Sequence, residues 1–519
     1  EEIDQFHAIA AWERTTETGD RAEIDVLPES SALWHKLDAR TEACLGQSCP
    51  DWERCFVTAM RRKALESDIV IVNHHLFFAD LAMRGGDYGS VLPDYSTVIF
   101  DEAHELEDVA ATYFGVNASN YRVLDLIQDC QKLTLTEPDR SSEVTRALAR
   151  LSQAAERFWV AIARQDLSRT RGGDTATSSS TSSSSSLEDG GWAASVEYSS
   201  QGLDARGQSA SSVLGIAEGR YVLDSSIFVR RAQSGFEPTA AGEAYMSVMS
   251  SLNRLGAELA AVRDPAPEVD NIVRRVEGLK FDLEFIVMSD DPSFVYWLEK
   301  RGRGYFLYAT PIDVSSLIAD KLFAAVQSAV LTSATLTADE RFDFIKSRLG
   351  IGHAREVVVE SHFDFRRQAV LYLPKKMPDP RAIQYTKAAA DEIVKILEAT
   401  SGRAFVLFTS VASMRSTYEL VRDRIDFPSF VQGQGSKAGL LEKFRRTEGA
   451  VLFATSSFWQ GVDVQGEALS CVIIHKLPFA VPSDPVVAAR QRHIDSEGGN
   501  SFYDYSVPEA IITLKQGLG

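Results

Sequence analysis

Residues 98–108 read VIFDEAHELED. Three apolar, strand-friendly residues, Val98, Ile99 and Phe100, run directly into Asp101, Glu102, Ala103 and His104. In open α/β sheets ligands bind beyond the carboxyl ends of the strands, so an acidic pair at a strand exit is placed for chemistry. One carboxylate there can hold Mg²⁺, a cation that takes hard oxygen ligands and keeps several of its waters. A second can accept a proton from an attacking water. Asp101 fits the metal role and Glu102 the base role, while His104 stands close enough to report the state of the pair to a neighbouring domain. The plainer alternative is that DEAH opens a helix, with Asp101 and Glu102 as favourable charges at its N-terminus.

The same grammar recurs along the chain. SDIVIVNHHLFF (67–78) predicts a short buried strand over residues 69–72. QSAVLTSATLT (327–337) has an apolar start and then a small hydroxyl-rich turn. AVLYLP (369–374), GRAFVLFTS (402–410), GAVLFATSSFWQGVDV (449–464) and LSCVIIHKLPF (469–479) alternate with helical patterns. Buried strand, polar exit and helix in repetition describe an α/β fold with doubly wound parallel sheets. Between them, residues 109–310 read mainly helical, as in RALARLSQAAERFWVAIAR (146–164), where Leu151, Ala155, Phe158 and Ile162 recur at helical spacing. A strand or two is expected within 220–233. The Ser/Thr/Gly tract at 169–191 has too little apolar surface to offset its ordering entropy and predicts a disordered loop.

At 519 residues the chain is too long for one core and predicts about three or four domains. Its net charge of −19 argues against a wholesale nucleic-acid coat or a membrane-adhering surface, though a local basic groove remains compatible with it. No membrane-spanning apolar run is present, and the first residues lack the basic and apolar regions of a signal peptide.

The five cysteines are too few and too odd in number for a secreted disulfide framework. Cys44, Cys49 and Cys55 nevertheless lie within twelve residues. Their x₄ and x₅ spacing is poor for zinc. An iron–sulfur cluster takes four thiolates, so a fourth ligand must be distant; Cys130 is the internal candidate, with His35, His74 and His75 behind it. Three structural thiols are the alternative. Arg54, Arg61, Arg62 and Lys63 follow at once, a basic patch suited to phosphate contacts or simply a solvated surface.

Thr332, Ser333 and Thr335 in LTSATL can relay hydrogen bonds between a phosphate and a neighbouring domain, or cap a helix. Thr409 and Ser410 stand at a strand end, placed for backbone phosphates. In SFWQGVDV, Gly461 permits close backbone approach and Asp463 offers a ribose or arginine contact. Phe458 and Trp459 are either base-stacking or core aromatics. A G-x-x-x-x-G-K-[ST] phosphate loop is absent from all 519 residues, RGRGYF (301–306) having glycines without the Lys-Ser/Thr pair.

In their order, these segments resemble the iron–sulfur helicases of superfamily 2, the DinG/XPD-like group, and most of all its bacterial DinG/YoaA branch. The likeness rests on IVIVNHHL (69–76), the DEAH box at 101–104, the close cysteines, LTSATL (331–336), GRAFVLFTS (402–410) and FWQGVDVQG (458–466). It implies two RecA-like parallel-sheet motor lobes with an iron–sulfur subdomain and an arch-like helical insertion in the first lobe. Residues 1–66 then hold part of the cluster subdomain, 67–108 and 311–362 the first lobe, 109–310 the insertion and 363–519 the second lobe. The resemblance implies ATP, Mg²⁺ on Asp101 and a [4Fe–4S] cluster on Cys44, Cys49 and Cys55. It also implies catalytic roles for Asp101, Glu102, His104 and Gln516, the last in LKQGLG where the family's final motif falls.

The expected substrate is single-stranded DNA, tracked 5′ to 3′, and forked or damaged DNA in repair or replication, alongside replication or repair proteins in the cytoplasm. The missing phosphate loop and first cluster cysteine are expected before Glu1, and the last motif's arginines after Gly519. A catalytically inactive nucleic-acid-binding module on the same scaffold is the alternative, and a nuclease or metabolic ATPase using the same carboxylates a third.

Overall fold

The computed structural model describes residues 2–24, 27, 31, 33, 34, 37, 44–84, 90–135, 137–165, 216–232, 235–361, 363–455, 458, 462, 464 and 466–518. The chain forms two compact units. Of the described residues, one comprises those within 1–96, 108–165 and 216–311; the other comprises those within 97–107 and 312–519.

In the first unit, helices Asn120–Gln131, Pro138–Ala163, Ala240–Ala260 and Pro267–Met288 pack on a four-stranded antiparallel sheet. Proline opens two of these helices at the position where a missing N–H costs nothing. Ser119 and Thr239 cap the other two by accepting the N–H of Arg122 and Gly242. Leu148, Leu151, Ala155, Phe158 and Ile162 form the buried stripe of the longest helix. Gly242 is required where it stands, because a Cβ would lie 2.1 Å from the Phe228 carbonyl oxygen.

The sheet runs in the order Val116–Ser119, Gly304–Pro311, Phe294–Arg301, Gly219–Val222. Its central hairpin pairs Phe294 with Pro311 through to Arg301 with Gly304. A strand near 220 matches the sequence reading, whereas this hairpin adds a β-layer to a region expected to be largely helical. The tract at 169–191 lies outside the described residues.

The second unit holds two parallel sheets. Thr97–Phe100 pairs in parallel with Ser328–Leu331, from Thr97 opposite Ser328 to Phe100 opposite Leu331. A four-stranded parallel sheet follows in the order Ser429–Val431, Val451–Ala454, Ala404–Leu407, Cys471–Ile474. Its two inner strands are buried along their whole length, so both faces must be apolar. Alternation does the sorting: Ala404, Val406 and Phe408 join Ile393, Leu397 and Met414 on one face. Phe405 and Leu407 join Leu440, Leu441 and Phe444 on the other.

Two expected strands do not form. Residues 69–72 and 369–374 pair with no strand among the described residues, and Ile69, Ile71, Val370 and Leu371 are exposed. An apolar run states an appetite for burial, but a strand also needs a neighbour's backbone to take its N–H and C=O groups. The DEAH strand itself is a two-sided compromise, with Phe100 buried and Ile99 exposed. No helix among the described residues is long and apolar enough to cross a membrane.

His475, just past the edge strand Cys471–Ile474, is buried between Tyr385 and Phe408, with ring centroids 5.1 and 4.8 Å away. Neither ring nitrogen has a hydrogen-bond partner among the described residues. Burial, reinforced by the adjacent Lys476 charge, pushes its pKa down from the usual 6.5 to about 4. The unfolded chain therefore takes up a proton that the folded chain refuses between those values. Stability is fully present above about pH 6.5 and declines as pH falls towards 4, by about 3 kcal/mol at 1.36 kcal/mol per pKa unit. Urea unfolding across this range should show that slope, and His475→Phe should flatten it; an unchanged slope would remove His475 as the cause.

Candidate active site

The pairing of Thr97–Phe100 with Ser328–Leu331 does not stop at the last strand residue. Thr332 N–H donates to the Phe100 carbonyl at 2.8 Å, and Ala103 N–H donates to the Thr332 carbonyl at 3.0 Å. These two bonds set the exit of one strand against the exit of the other. The chain then turns sharply at Glu102, whose φ of 47° and ψ of 45° lie in the left-handed region. A residue with a side chain held there carries roughly 1–3 kcal/mol of strain, which persists only where the surroundings impose it. The turn leads into a single 3₁₀ turn, Ala103–Glu105, and the helix Leu106–Phe114.

Around that turn five side chains meet. Ser333 Oγ donates to Glu102 Oε2 at 2.9 Å, and His104 Nδ1 lies 3.0 Å from Ser333 Oγ and 3.4 Å from Glu102 Oε2. Thr335, itself buried, has its N–H on Ser333 Oγ at 3.2 Å. From the C-terminal helix Val507–Leu518, Gln516 Nε2 donates to Thr335 Oγ1 and approaches His104 Nδ1 to 3.3 Å. Lys515 on the same helix donates to the Thr337 carbonyl at 2.9 Å.

Proton accounting limits this cluster. Ser333 has one hydroxyl proton; when Glu102 holds it, His104 meets Ser333 only as an Nδ1–H donor. Gln516 can instead give its second amide proton to Nδ1, but only when that nitrogen offers a lone pair. One ring nitrogen thus serves the acidic pair or the C-terminal helix, not both. The tautomer of His104 is the variable.

Asp101 and Glu102 are exposed, and Asp101 Oδ1 accepts the Glu102 N–H at 3.0 Å. A hard cation that keeps its waters needs no more than one such carboxylate from the protein. Thr332 enters through its backbone, its side chain being exposed. Ser410 caps the helix Val411–Val421, accepting the Ser413 N–H at 3.2 Å, and Thr409 is half-buried beside it at the exit of Ala404–Leu407. Phe458 belongs to the core and is closed to base stacking. Gly461, Asp463, Trp459 and His35 lie outside the described residues.

The remaining expected residues are in the first unit. Cys44 is exposed, Cys49 and Cys55 are half-buried, and all three are free thiols. Cys55 precedes the helix Phe56–Leu65, and hydrogen bonding from the Thr58 backbone lowers its thiol pKa. Cys130 is buried in the helical core and is pushed up to about 11 by burial, the opposite of what a thiolate ligand needs. His75 packs edge-on against Tyr113, with His74 beside it on the same helix. Among the described residues no three metal-ligating side chains converge. Arg62 pairs with Glu53 at 3.0 Å, and Arg61 sits next to it on the same helix.

Sequence reasoning missed a second cluster, just past the acidic turn. Glu107 is buried and accepts from Arg348 Nε at 2.9 Å and from Arg348 Nη2. Arg490 Nη2 approaches the same carboxylate at 3.0 Å, and Arg490 Nη1 donates to the Tyr505 hydroxyl at 3.2 Å. The Arg348 guanidinium also stands 5.4 Å over the Tyr505 ring. One buried anion therefore joins the start of helix Leu106–Phe114 to helices Asp343–Leu349 and Pro485–Ser496. Glu107→Ala would leave two cations buried without their carboxylate. It should lower unfolding stability by roughly 3–5 kcal/mol in urea melts, whereas exposed Glu105→Ala should stay within about 0.5 kcal/mol. Equal effects from the two would show that the buried cluster carries no stability.

Residues 393–519 match the family model of the helicase C-terminal domain. The chain is 32% identical over 515 residues to the ATP-dependent DNA helicase YoaA of Haemophilus influenzae, covering 99% of this chain and 71% of that protein. It is 32% identical over 512 residues to YoaA of Escherichia coli, covering 98% and 71%. It is 30% identical over 523 residues to the ATP-dependent helicase DinG of Mycobacterium tuberculosis H37Ra, covering 98% and 68%. Likeness at this level across almost the whole chain, with the acidic turn and Gln516 in one cluster, identifies it: the chain belongs to the YoaA/DinG family of ATP-dependent DNA helicases.

Proposed function

We propose that Glu102 is the general base of an ATP-driven DNA helicase and that Asp101 holds the nucleotide's magnesium. The observation that carries this reading is the hydrogen-bonded chain Glu102, Ser333, His104, Gln516 and Thr335, drawn from segments up to 412 residues apart. A bound Mg²⁺ would neutralise charge on the transferring phosphoryl group. Glu102 would take the proton of the attacking water. Its left-handed turn aims the carboxylate out of the strand exit, and Ser333 fixes one of its oxygens. As Glu102 gains that proton it becomes a weaker acceptor, and the Ser333 hydroxyl is free to turn to a neighbour that offers a lone pair. In the tautomer that carries its proton on Nε2, His104 Nδ1 offers one, and Ser333 and the Gln516 amide then compete for it. Protonation of the carboxylate would thereby be felt at the C-terminal helix.

Residues 67–108 with 311–362 and residues 363–519 are the two motor lobes, 109–310 the insertion and 1–66 part of the cluster subdomain. Gly461 and Asp463 would face the nucleotide. Thr409, Ser410, Arg61 and Arg62 would meet DNA phosphates, and movement would be 5′ to 3′ on single strands during cytoplasmic repair or replication. Motif order supports these assignments. Cys44, Cys49 and Cys55 are the proposed cluster ligands, supported by their proximity in sequence and the lowered Cys55 thiol. They do not form a closed site among the described residues and number three of the four thiolates required.

Glu102→Gln keeps the shape and the acceptor for Ser333 but removes the base. Phosphate release should fall at least about a hundredfold while nucleotide affinity by calorimetry stays within a few-fold; turnover near the parent's level would exclude Glu102 as base. Anaerobically purified protein should contain iron and sulfide, and Cys55→Ala should contain less. Iron-free parent protein would exclude the cluster.

A further inference from the structure

The segment RGRGYF, which lacks the features of a nucleotide loop, forms the tip of the hairpin Phe294–Arg301/Gly304–Pro311 in the first unit. The tip is built to hold one shape. Gly302 has a φ of 54°, and its N–H donates to Glu218 Oε1 at 2.8 Å. Tyr305 N–H donates to Asn120 Oδ1 at 2.9 Å, and Asn120 Nδ2 returns a bond to the Arg303 carbonyl at 3.3 Å. A Cβ at Gly304 would lie 2.4 Å from the Phe306 ring and 2.9 Å from Tyr121, so a side chain there would displace those rings. The turn is therefore clamped from both flanks by side chains of other elements.

What it presents is cationic and aromatic. Tyr305, Leu307 and Ala309 face the helical core, so Phe306 faces outwards. Arg301 lies on that outer face and stands 5.3 Å over the Phe306 ring, and the Tyr121 ring centroid is 5.9 Å from that of Phe306. Phe306 and Tyr121 are half-buried; Arg301 and Arg303 are exposed. The nearby carboxylates are already engaged: Glu218 on Gly302 N–H, Glu299 with Arg220 at 3.9 Å, and Asp282 with Arg122 at 2.7 Å. Among the described residues neither Arg301 nor Arg303 is in an ion pair. In a chain of net charge −19 that is a local reversal of sign on a rigid support.

Two exposed guanidiniums beside a half-buried aromatic pair match the alternating phosphates and bases of an unpaired strand, which binds through backbone charge and sequence-tolerant stacking. The geometry points to the Arg301–Gly304 tip as an accessory single-stranded DNA contact: Arg301 and Arg303 take phosphates, and the Phe306–Tyr121 pair takes a base. It rests on the reading of the chain as a DNA helicase and adds a contact outside the acidic-turn site.

The test is fluorescence anisotropy of a labelled oligothymidylate across a salt series. It compares the parent protein, Arg301→Gln/Arg303→Gln and Phe306→Leu. The arginine double variant should bind on the order of tenfold more weakly. Its log–log salt slope should be shallower by about 1.4, the value for two lost phosphate contacts at ~0.7 each. Phe306→Leu should weaken binding roughly fivefold with the parent's slope. A parent that binds while both variants match it in affinity and slope overturns the hairpin contact alone. A parent that binds no single strand overturns the DNA reading as well.

Discussion

The parallel register between Thr97–Phe100 and Ser328–Leu331 is the constraint on which the catalytic reading depends. Two short strands more than two hundred residues apart in sequence must meet in one alignment. A slip of one residue would turn every side chain to the opposite face. The backbone bonds from Thr332 to Phe100 and from Ala103 to Thr332 extend that alignment beyond the strands. They force the left-handed turn at Glu102 and set its carboxylate beside Ser333. Neither strand alone specifies the cluster; the pairing does.

Two kinds of polar contact then divide the labour. The Glu102–Ser333–His104–Gln516 chain is partly open and holds fewer protons than it has places for them, a state that can exchange. The Glu107–Arg348–Arg490 cluster is buried and charged, with the Tyr505 hydroxyl completing it, and leaves little freedom. Buried ion groups are poor sources of net stability but punish any arrangement that separates them. Placed five residues after the acidic turn's Glu102, Glu107 anchors the chain just beyond that turn to helices Asp343–Leu349 and Pro485–Ser496. A labile relay is informative only when its ends cannot drift.

How much of this could be read from residues alone follows from what each feature needs. Ala404–Leu407 and Val451–Ala454 are buried on both faces, which demands unbroken apolar runs, and such runs are visible in sequence. Residues 69–72 and 369–374 carry the same signal without a paired neighbour among the described residues, because composition cannot name a partner backbone. The hairpin Phe294–Arg301/Gly304–Pro311 had its signal in plain view, aromatic and β-branched residues flanking Arg-Gly-Arg-Gly, but glycines near basic residues invite comparison with phosphate loops first. Asp101, Glu102, His104, Ser333 and Gln516 are legible because short motifs carry them. Glu107, Arg348 and Arg490 are not, since a charge pair spanning 241 residues has no local signature.

In the proposed function the carboxylate at the strand exit faces the metal of a bound nucleotide. Manganese can replace magnesium and scatters anomalously. Crystals grown with Mn²⁺ and a non-hydrolysable ATP analogue should show an anomalous peak within water-bridged reach of Asp101, with the terminal phosphate on the Glu102 side. A peak bound elsewhere, with Asp101 and Glu102 facing only solvent, would contradict the account.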